Sequence, residues 1–318
     1  MDNASSDGTA AAVTELAPGA KVIEAGANLG FAAGCNRGAA GASGDLLVFL
    51  NPDAVPTRGF CEAIRRPAAD GRGWAAWMGL VTARDGTIVN TEGGVVHFTG
   101  IAWAGGAGRL LGPGSAGESG SPPAPREVGF ASGACLAVPH DRWREAGGFP
   151  EQFFLYHEDV DLSLRLRLSG GRVGIEPHAV VDHEYEFGKG PAKWRHLERN
   201  RWATLVRTYP SALLALLAPA LVATEVALLG VSLTGGWVRE KLLAWWDVAR
   251  ALPRLLGERR AIQSRRTVSA SEFAAALTAE LSSPYLGRLA GLAPLRWALR
   301  AYWSLVRALL GATGSRVP

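Results

Sequence analysis

Five consecutive apolar residues running straight into Asn-Pro-Asp constrain this chain more than any other feature. Leu46-Leu-Val-Phe-Leu50 is preceded by Asp45 and followed by Asn51-Pro52-Asp53. A continuous apolar run of that length suits a central parallel strand buried on both faces. Proline has no amide hydrogen to give to a ladder and stops the strand. Asn51 and Asp53 are thereby left at the carboxyl end, where open α/β sheets place their ligand sites. Lys21–Ile23, Cys135–Val138, Arg172–Ile175 and Ala179–Val181 are further predicted strands, alternating with glycine-rich and polar stretches up to about Glu186. The Gly/Ser/Pro-rich stretch from Gly105 to Pro125 reads as a surface loop.

Four groups of residues could carry chemistry. A carboxylate such as Asp53 at a strand end can hold Mg2+ or Mn2+, which take oxygen ligands and share them with substrate phosphates; Asn-Pro-Asp is also good turn chemistry. His157-Glu158-Asp159-Val160-Asp161 crowds three carboxylates into four positions. That suits a cation or a catalytic task, or a solvated helix N-terminus where acids favour the dipole. Val181-Asp182-His183 ends a short apolar run on a histidine, which is a possible ligand or simply a packed residue. The glycines of Gly26–Gly38 would let backbone approach a phosphate or ribose, but their spacing is neither GxGxxG nor a P-loop. The segment Glu158–Leu168 is ambiguous in itself. Its apolar residues fall at every second position, as in a strand, whereas its Leu and Arg are good helix formers.

Taken in order, these pieces resemble family 2 glycosyltransferases. The resemblance rests on Asp2-Asn-Ala-Ser-Ser-Asp-Gly-Thr9, Asn28-Leu-Gly-Phe-Ala-Ala-Gly-Cys-Asn-Arg-Gly38, Leu50-Asn-Pro-Asp-Ala54 and Gly147-Gly-Phe-Pro-Glu-Gln-Phe-Phe-Leu-Tyr-His-Glu-Asp-Val-Asp-Leu162, followed by Arg165 and Gly170. It is nearest the rhamnosyltransferase-like branch that builds bacterial cell-surface polysaccharides, and it covers Met1 to about Tyr209. It implies a GT-A fold, α/β and Rossmann-like, with a mostly parallel sheet flanked by helices and with Glu158–Leu168 helical. It further implies Asp2 at the nucleotide base, Asn28 and Asn36 in the nucleotide-side loop, and Asn51-Pro-Asp53 in place of the DxD motif. Asp53 is then the metal ligand, with His183 a further metal-side position. Gly147, Gly148 and Phe149 correspond to the acceptor-side loop, and Asp159 of the Glu158-Asp159 pair to the general base. The implied reaction is an inverting transfer from a nucleotide diphosphate sugar, dTDP-rhamnose favoured, to a glycan or lipid-linked acceptor, with Mg2+ or Mn2+. In the family a strand, a nucleotide-binding turn and a helix precede the Asp2-Asn3 motif, which usually reads Val-Asp-Asn. Met1 stands where that Val would be, so a misplaced start or shortened gene is expected, with the first strand missing. A non-catalytic membrane-associated remnant is the alternative.

Composition bears mainly on the tail. The formal charge is +4, and from residue 235 to 266 eight Lys/Arg face three acids, a net +5. Leu and Trp interleave with these cations, a pattern of a membrane surface rather than of nucleic-acid reading. Residues 211–233 are nearly all apolar with one acid, Glu225, and Pro294–Leu310 has an amphipathic helical pattern. Both flanks of the apolar stretch are basic, and the positive-inside tendency wants both on the cytosolic side. A re-entrant or in-plane helical hairpin kinked near Pro219 is therefore expected. Two regions follow: a glycosyltransferase domain over 1–207 and a helical, membrane-associated region over 208–318. Three scattered cysteines and the small polar residues Met1–Thr9 fit a reducing compartment, hence the cytoplasmic face of the cell membrane.

Overall fold

The computed structural model describes residues 1–111, 124–183, 190–281 and 292–314. Most of the stretch predicted as a surface loop, residues 112–123, lies outside them. In chain order the elements are α1 (Thr9–Leu16), α2 (Gly30–Ala40), β1 (Leu46–Leu50), β2 (Ala54–Pro56), α3 (Phe60–Ala63), α4 (Arg66–Ala69), β3 (Trp74–Ala83), β4 (Ile88–Thr91), β5 (Gly94–Val96) and β6 (Ala102–Ala104). There follow β7 (Arg126–Glu127), β8 (Cys135–Pro139), α5 (His140–Ala146), α6 (Glu158–Leu168), β9 (Arg172–His183), α7 (Ala192–Thr208), α8 (Ser211–Thr234), α9 (Val238–Ser264), α10 (Ala270–Ala274) and α11 (Ala293–Gly314).

The main sheet runs β1-β8-β3-β9-β2, with β4 added to β3 and β7 to β9. It is α/β with helices on its faces, but the sheet is mixed rather than mostly parallel. β3 and β9 run parallel, whereas β1–β8, β8–β3 and β9–β2 are antiparallel. The buried centre is β3, where Trp77 is fully enclosed and its indole N–H donates to the Ile64 carbonyl at 2.8 Å. Leu46–Leu50 is a strand, as predicted, but not the central parallel one. It forms the end of the sheet among the described residues, antiparallel to β8, with Val48 and Leu50 41% and 37% exposed. Composition sees five apolar residues; it does not see that one edge and part of one face lack a neighbour. Lys21–Ile23 is likewise not a strand. It leads into a single parallel bridge between Asp2 and Glu24, held by Asp2 N–H to the Ile23 carbonyl at 2.8 Å and Ala25 N–H to the Asp2 carbonyl at 2.9 Å.

The ambiguous segment is helix α6, and its burial explains the period-2 pattern. Leu162 and Leu166 join the core under the sheet. Val160, Leu164 and Leu168 join a second core with Leu205, Leu213, Leu217, Phe273 and Trp303. Positions four apart share a helix face, so two opposite faces, each apolar at every fourth residue, interleave into apparent alternation. The second core also crosses the expected division near residue 207, where the chain bends at Pro210 between α7 and α8. α8 continues through Pro219 as one helix, and the reversal comes at Gly235-Gly236, after which α9 returns along α7. Cys35, Cys61 and Cys135 are free thiols.

Candidate active site

Strand pairing brings Asp53 to His183. Ala54, the first residue of β2, is paired with His183, the last of β9, and Asp53 therefore stands beside the imidazole. His183 Nε2 lies 3.0 Å from Asp53 Oδ1 and 3.3 Å from Asn51 Nδ2. The His183 side chain is buried while that of Asp53 is 56% exposed. Asn51 is fixed by its own N–H to the Ala134 carbonyl at 3.1 Å, and its carbonyl accepts from Ala54 at 3.0 Å. An accessible carboxylate next to an imidazole suits a Mg2+ or Mn2+ ion that completes its shell with substrate and water oxygens. Among the described residues, no group of three or more His, Cys, Asp or Glu side chains could hold an ion by itself. The pair fits a shared ion, not a closed protein cage.

Asp159 and Glu158 open α6, on a backbone that needs support. Phe154, Tyr156 and His157, just ahead, have φ of 62°, 70° and 70°, a left-handed region uncommon for such residues. Asn200 of α7, fully buried, holds this loop: its Nδ2 donates to the carbonyls of Phe153, Leu155 and Tyr156 at 3.1, 2.9 and 2.7 Å. Asp159 Oδ2 accepts the Gly133 N–H at 3.0 Å, and Oδ1 accepts the Val160 N–H at 2.8 Å. Burial raises the Asp159 carboxyl above its ordinary range, against the lowering effect of these two amides. Glu158 is raised much further, by burial first and by Asp159 second, and its Oε2 has no hydrogen-bond partner among the described residues. His157, also buried, is pushed down to about 4 by desolvation and by Arg201, so it is neutral near pH 7. Asn51, His183, Glu158, Asp159 and Gly133 line one cavity of about 450 Å3.

The other predicted site residues lie around this cavity rather than in its wall. Asp2 accepts the Ser5 N–H. Asn28 Oδ1 accepts from Asn3 Nδ2 at 3.1 Å and from Gly30 N–H at 3.0 Å, shaping the entry to α2. Gly30, φ 79°, admits no side chain: a Cβ there would sit 2.4 Å from the Phe154 ring. The Asn28 loop and the loop ahead of Asp159 are thus in direct contact. Asn36 brackets Phe149, accepting its N–H at 2.8 Å and donating to its carbonyl at 2.9 Å, and it also donates to Glu151 Oε1 at 3.0 Å. Gly147, φ 77°, caps α5; the Gly148 carbonyl accepts from Arg165 Nη2 at 2.7 Å. Phe149 is a core side chain, edge-on to Trp143 at 5.0 Å. Sequence reading missed Asn3, Gly133 and Asn200. The Asp2-Asn3 motif contains the first, while nothing local marks the other two.

An α/β sheet with carboxylates at strand and helix ends around one cavity places a candidate ligand site at the strand ends. A sequence model described as "Glycosyl transferase family 2" matches residues 1–93. N-acetylglucosaminyl-diphospho-decaprenol L-rhamnosyltransferase of Mycobacterium tuberculosis (strain H37Rv) is 30% identical over 226 residues, 64% of this chain and 72% of that protein. Pre-mycofactocin glycosyltransferase of the same organism is 29% identical over 157 residues, 49% of this chain and 30% of that protein. A Pyrobaculum calidifontis mannosyltransferase, solved in complex with GDP-Man and Mn2+, superimposes loosely: TM-score 0.43, 20% identity, 97% of this chain and 75% of that one. The chain belongs to glycosyltransferase family 2 and is a rhamnosyltransferase-like glycosyltransferase.

Proposed function

We propose that the chain transfers a sugar, rhamnose from dTDP-rhamnose, to a lipid-linked glycan at the cytoplasmic face of the membrane, inverting the anomeric centre. The observation that carries this reading is Asp159, a carboxylate of raised proton affinity lining the same cavity as Asn51 and His183. Asp159 takes the proton of the acceptor hydroxyl as its oxygen attacks the anomeric carbon. The bond to the diphosphate oxygen breaks on the opposite face and its electron pair leaves with the nucleotide. A pKa lifted by burial makes the carboxylate a stronger base than one in water, provided it is ionised at working pH. Gly133 and Val160 amides hold it in place, and Asn200 holds the loop behind it. Asp53 and His183 would hold Mg2+ or Mn2+, which stabilises a departing diphosphate when bound. The choice of rhamnose and of a polyprenyl-linked acceptor is supported by the mycobacterial relative.

Asp159→Asn tests the base directly. Transfer should fall by about 10²–10⁴-fold while donor affinity, measured by calorimetry with dTDP-rhamnose and Mn2+, stays within twofold or so of wild type. Asp53→Ala should give the opposite split, weakening donor binding only when the metal is present. An Asp159→Asn enzyme that keeps more than about a tenth of wild-type turnover would rule out the general-base role.

A further inference from the structure

The lining of the cavity that holds Asp159 combines polar groups, Asn51, Asp159, His183, Glu198 and Arg201 among them, with an apolar set, Ile101, Trp103, Trp194, Leu228, Val231 and Trp237. Trp194 and Trp237 stack with ring centroids 4.9 Å apart, and Trp103 and Trp237 are buried. Sugar hydroxyls ask for hydrogen-bond partners, and Leu228, Val231 and Ile101 offer none. Leu228 and Val231 belong to α8, whose remaining surface is also apolar: Val222, Val226 and Leu233 are exposed. At roughly 100° per residue these three lie about 120–160° round the helix from Leu228. One helix thus presents an inner apolar face to the reaction cavity and an outer one to the surroundings. α8 is also long and apolar enough to enter a bilayer, by length and composition.

We infer that the apolar half of this cavity, between α8 and the β5–β6 hairpin, is the subsite for the first isoprene units of the acceptor's carrier lipid. The inference rests on the proposed lipid-linked acceptor and names where its lipid lies. The wall adjoins Asp159, where the acceptor hydroxyl must arrive, so it receives the end of the acceptor away from the donor. A cavity of about 450 Å3 holds sugars and a few carbons of chain, not a long polyprenyl tail. The rest of the chain leaves along α8, whose outer face continues as apolar surface.

Photolabelling of the full chain in detergent with a benzophenone-bearing farnesyl diphosphate, followed by peptide mapping, tests this. Labels should fall in residues 101–104 and 228–237. They should be suppressed by unlabelled geranylgeranyl diphosphate and not by inorganic diphosphate. Leu228→Gln and Val231→Gln, at partly exposed positions, should each weaken labelling roughly tenfold by setting an unpaired amide in the subsite; Val226→Gln on the outer face should not. Labels confined to the outer face of α8, or equal suppression by all three substitutions, would overturn the subsite. Labelling as described in a protein that transfers no sugar to lipid-linked acceptors would uphold the subsite and refute the proposed reaction. Transfer without labelling would do the reverse.

Discussion

Asn200 stands on a different helix from the carboxylates, yet its amide fixes the loop they rise from. Three carbonyls of a strained backbone converge on one Nδ2. Removing it takes their Asn200 donor from the Leu155 and Tyr156 carbonyls, at about 1–3 kcal/mol for a buried acceptor whose donor is not replaced, while the Phe153 carbonyl keeps Arg199 Nη2 at 2.8 Å. Asn200→Ala should therefore lower both the melting temperature and kcat, the latter by roughly tenfold or more because Asp159 loses its position, with donor KM little changed. Asn200→Asp, nearly the same shape but with an acceptor facing acceptors, should be worse than Ala in thermal melts. A melt in which Asp is the milder substitution would refute the hydrogen-bond account. No sequence pattern announces such a residue. Asn200 is far along the chain from its partners, as is Asn36 from Phe149, and their roles exist only once the elements have met. Asp53, Asp159 and His183, by contrast, could be put forward from sequence, because each lies at or beside the end of a strand or the start of a helix, where motifs gather.

Helix α6 shows the same boundary between what sequence carries and what it does not. Its motif residues were readable at its first turn, but alternation suggested a strand because the helix is covered on two opposite faces. The β1 run misled in the other direction, since apolar composition looks alike at the centre and at the end of a sheet. Three acids at the start of α6 also meet the favourable end of the helix dipole, but Glu158 gains little from it once buried. Its folded-state pKa lies well above the ordinary 4.5, so the folded protein prefers it protonated. The stability it contributes is fully present below its unfolded pKa and is lost as pH rises through the folded value. Glu158→Gln, neutral at every pH, should therefore show a melting-temperature advantage over wild type that is absent near pH 4 and grows towards pH 8. A gain of ~1 kcal/mol corresponds to about 2 °C or less for a chain of 318 residues. An advantage that instead shrinks with rising pH would mean Glu158 is stabilised as the carboxylate.

At the scale of the whole molecule, charge bears on the membrane attachment proposed for α8. Its one acid, Glu225, is paired with Arg201 of α7 and, at 2.7 Å, with Lys241 of α9, and it accepts from the Trp245 indole at 2.6 Å. Glu198 joins the same cluster from α7, 3.1 Å from Arg201. The +5 of residues 235–266 is thus only partly available to lipid, since Lys241 is fully buried and Arg259 donates to the carbonyls of Val206 and Tyr209. If α8 crossed the bilayer, this cluster would travel with it, and each charge near the centre costs about 2.5–3.5 kcal/mol on insertion scales. An in-plane placement leaves the cluster inside the protein. It lets the exposed Val222, Val226 and Leu233 of α8 meet the lipid, and Arg250, Arg260 and Arg266, exposed on or just after α9, are cations open to solvent. Three such cations near an anionic surface contribute on the order of 1 kcal/mol each, fading with salt. The protein should sediment with vesicles containing phosphatidylglycerol and much less with pure phosphatidylcholine. Val222→Asp combined with Val226→Asp should release it at any salt concentration, while Arg250→Glu with Arg260→Glu should remove only the preference for anionic lipid. Recovery of the wild-type protein in the supernatant at low salt would refute membrane attachment, and a carboxyl-terminal tag reachable only from the outer side of the cell membrane would show that α8 spans it.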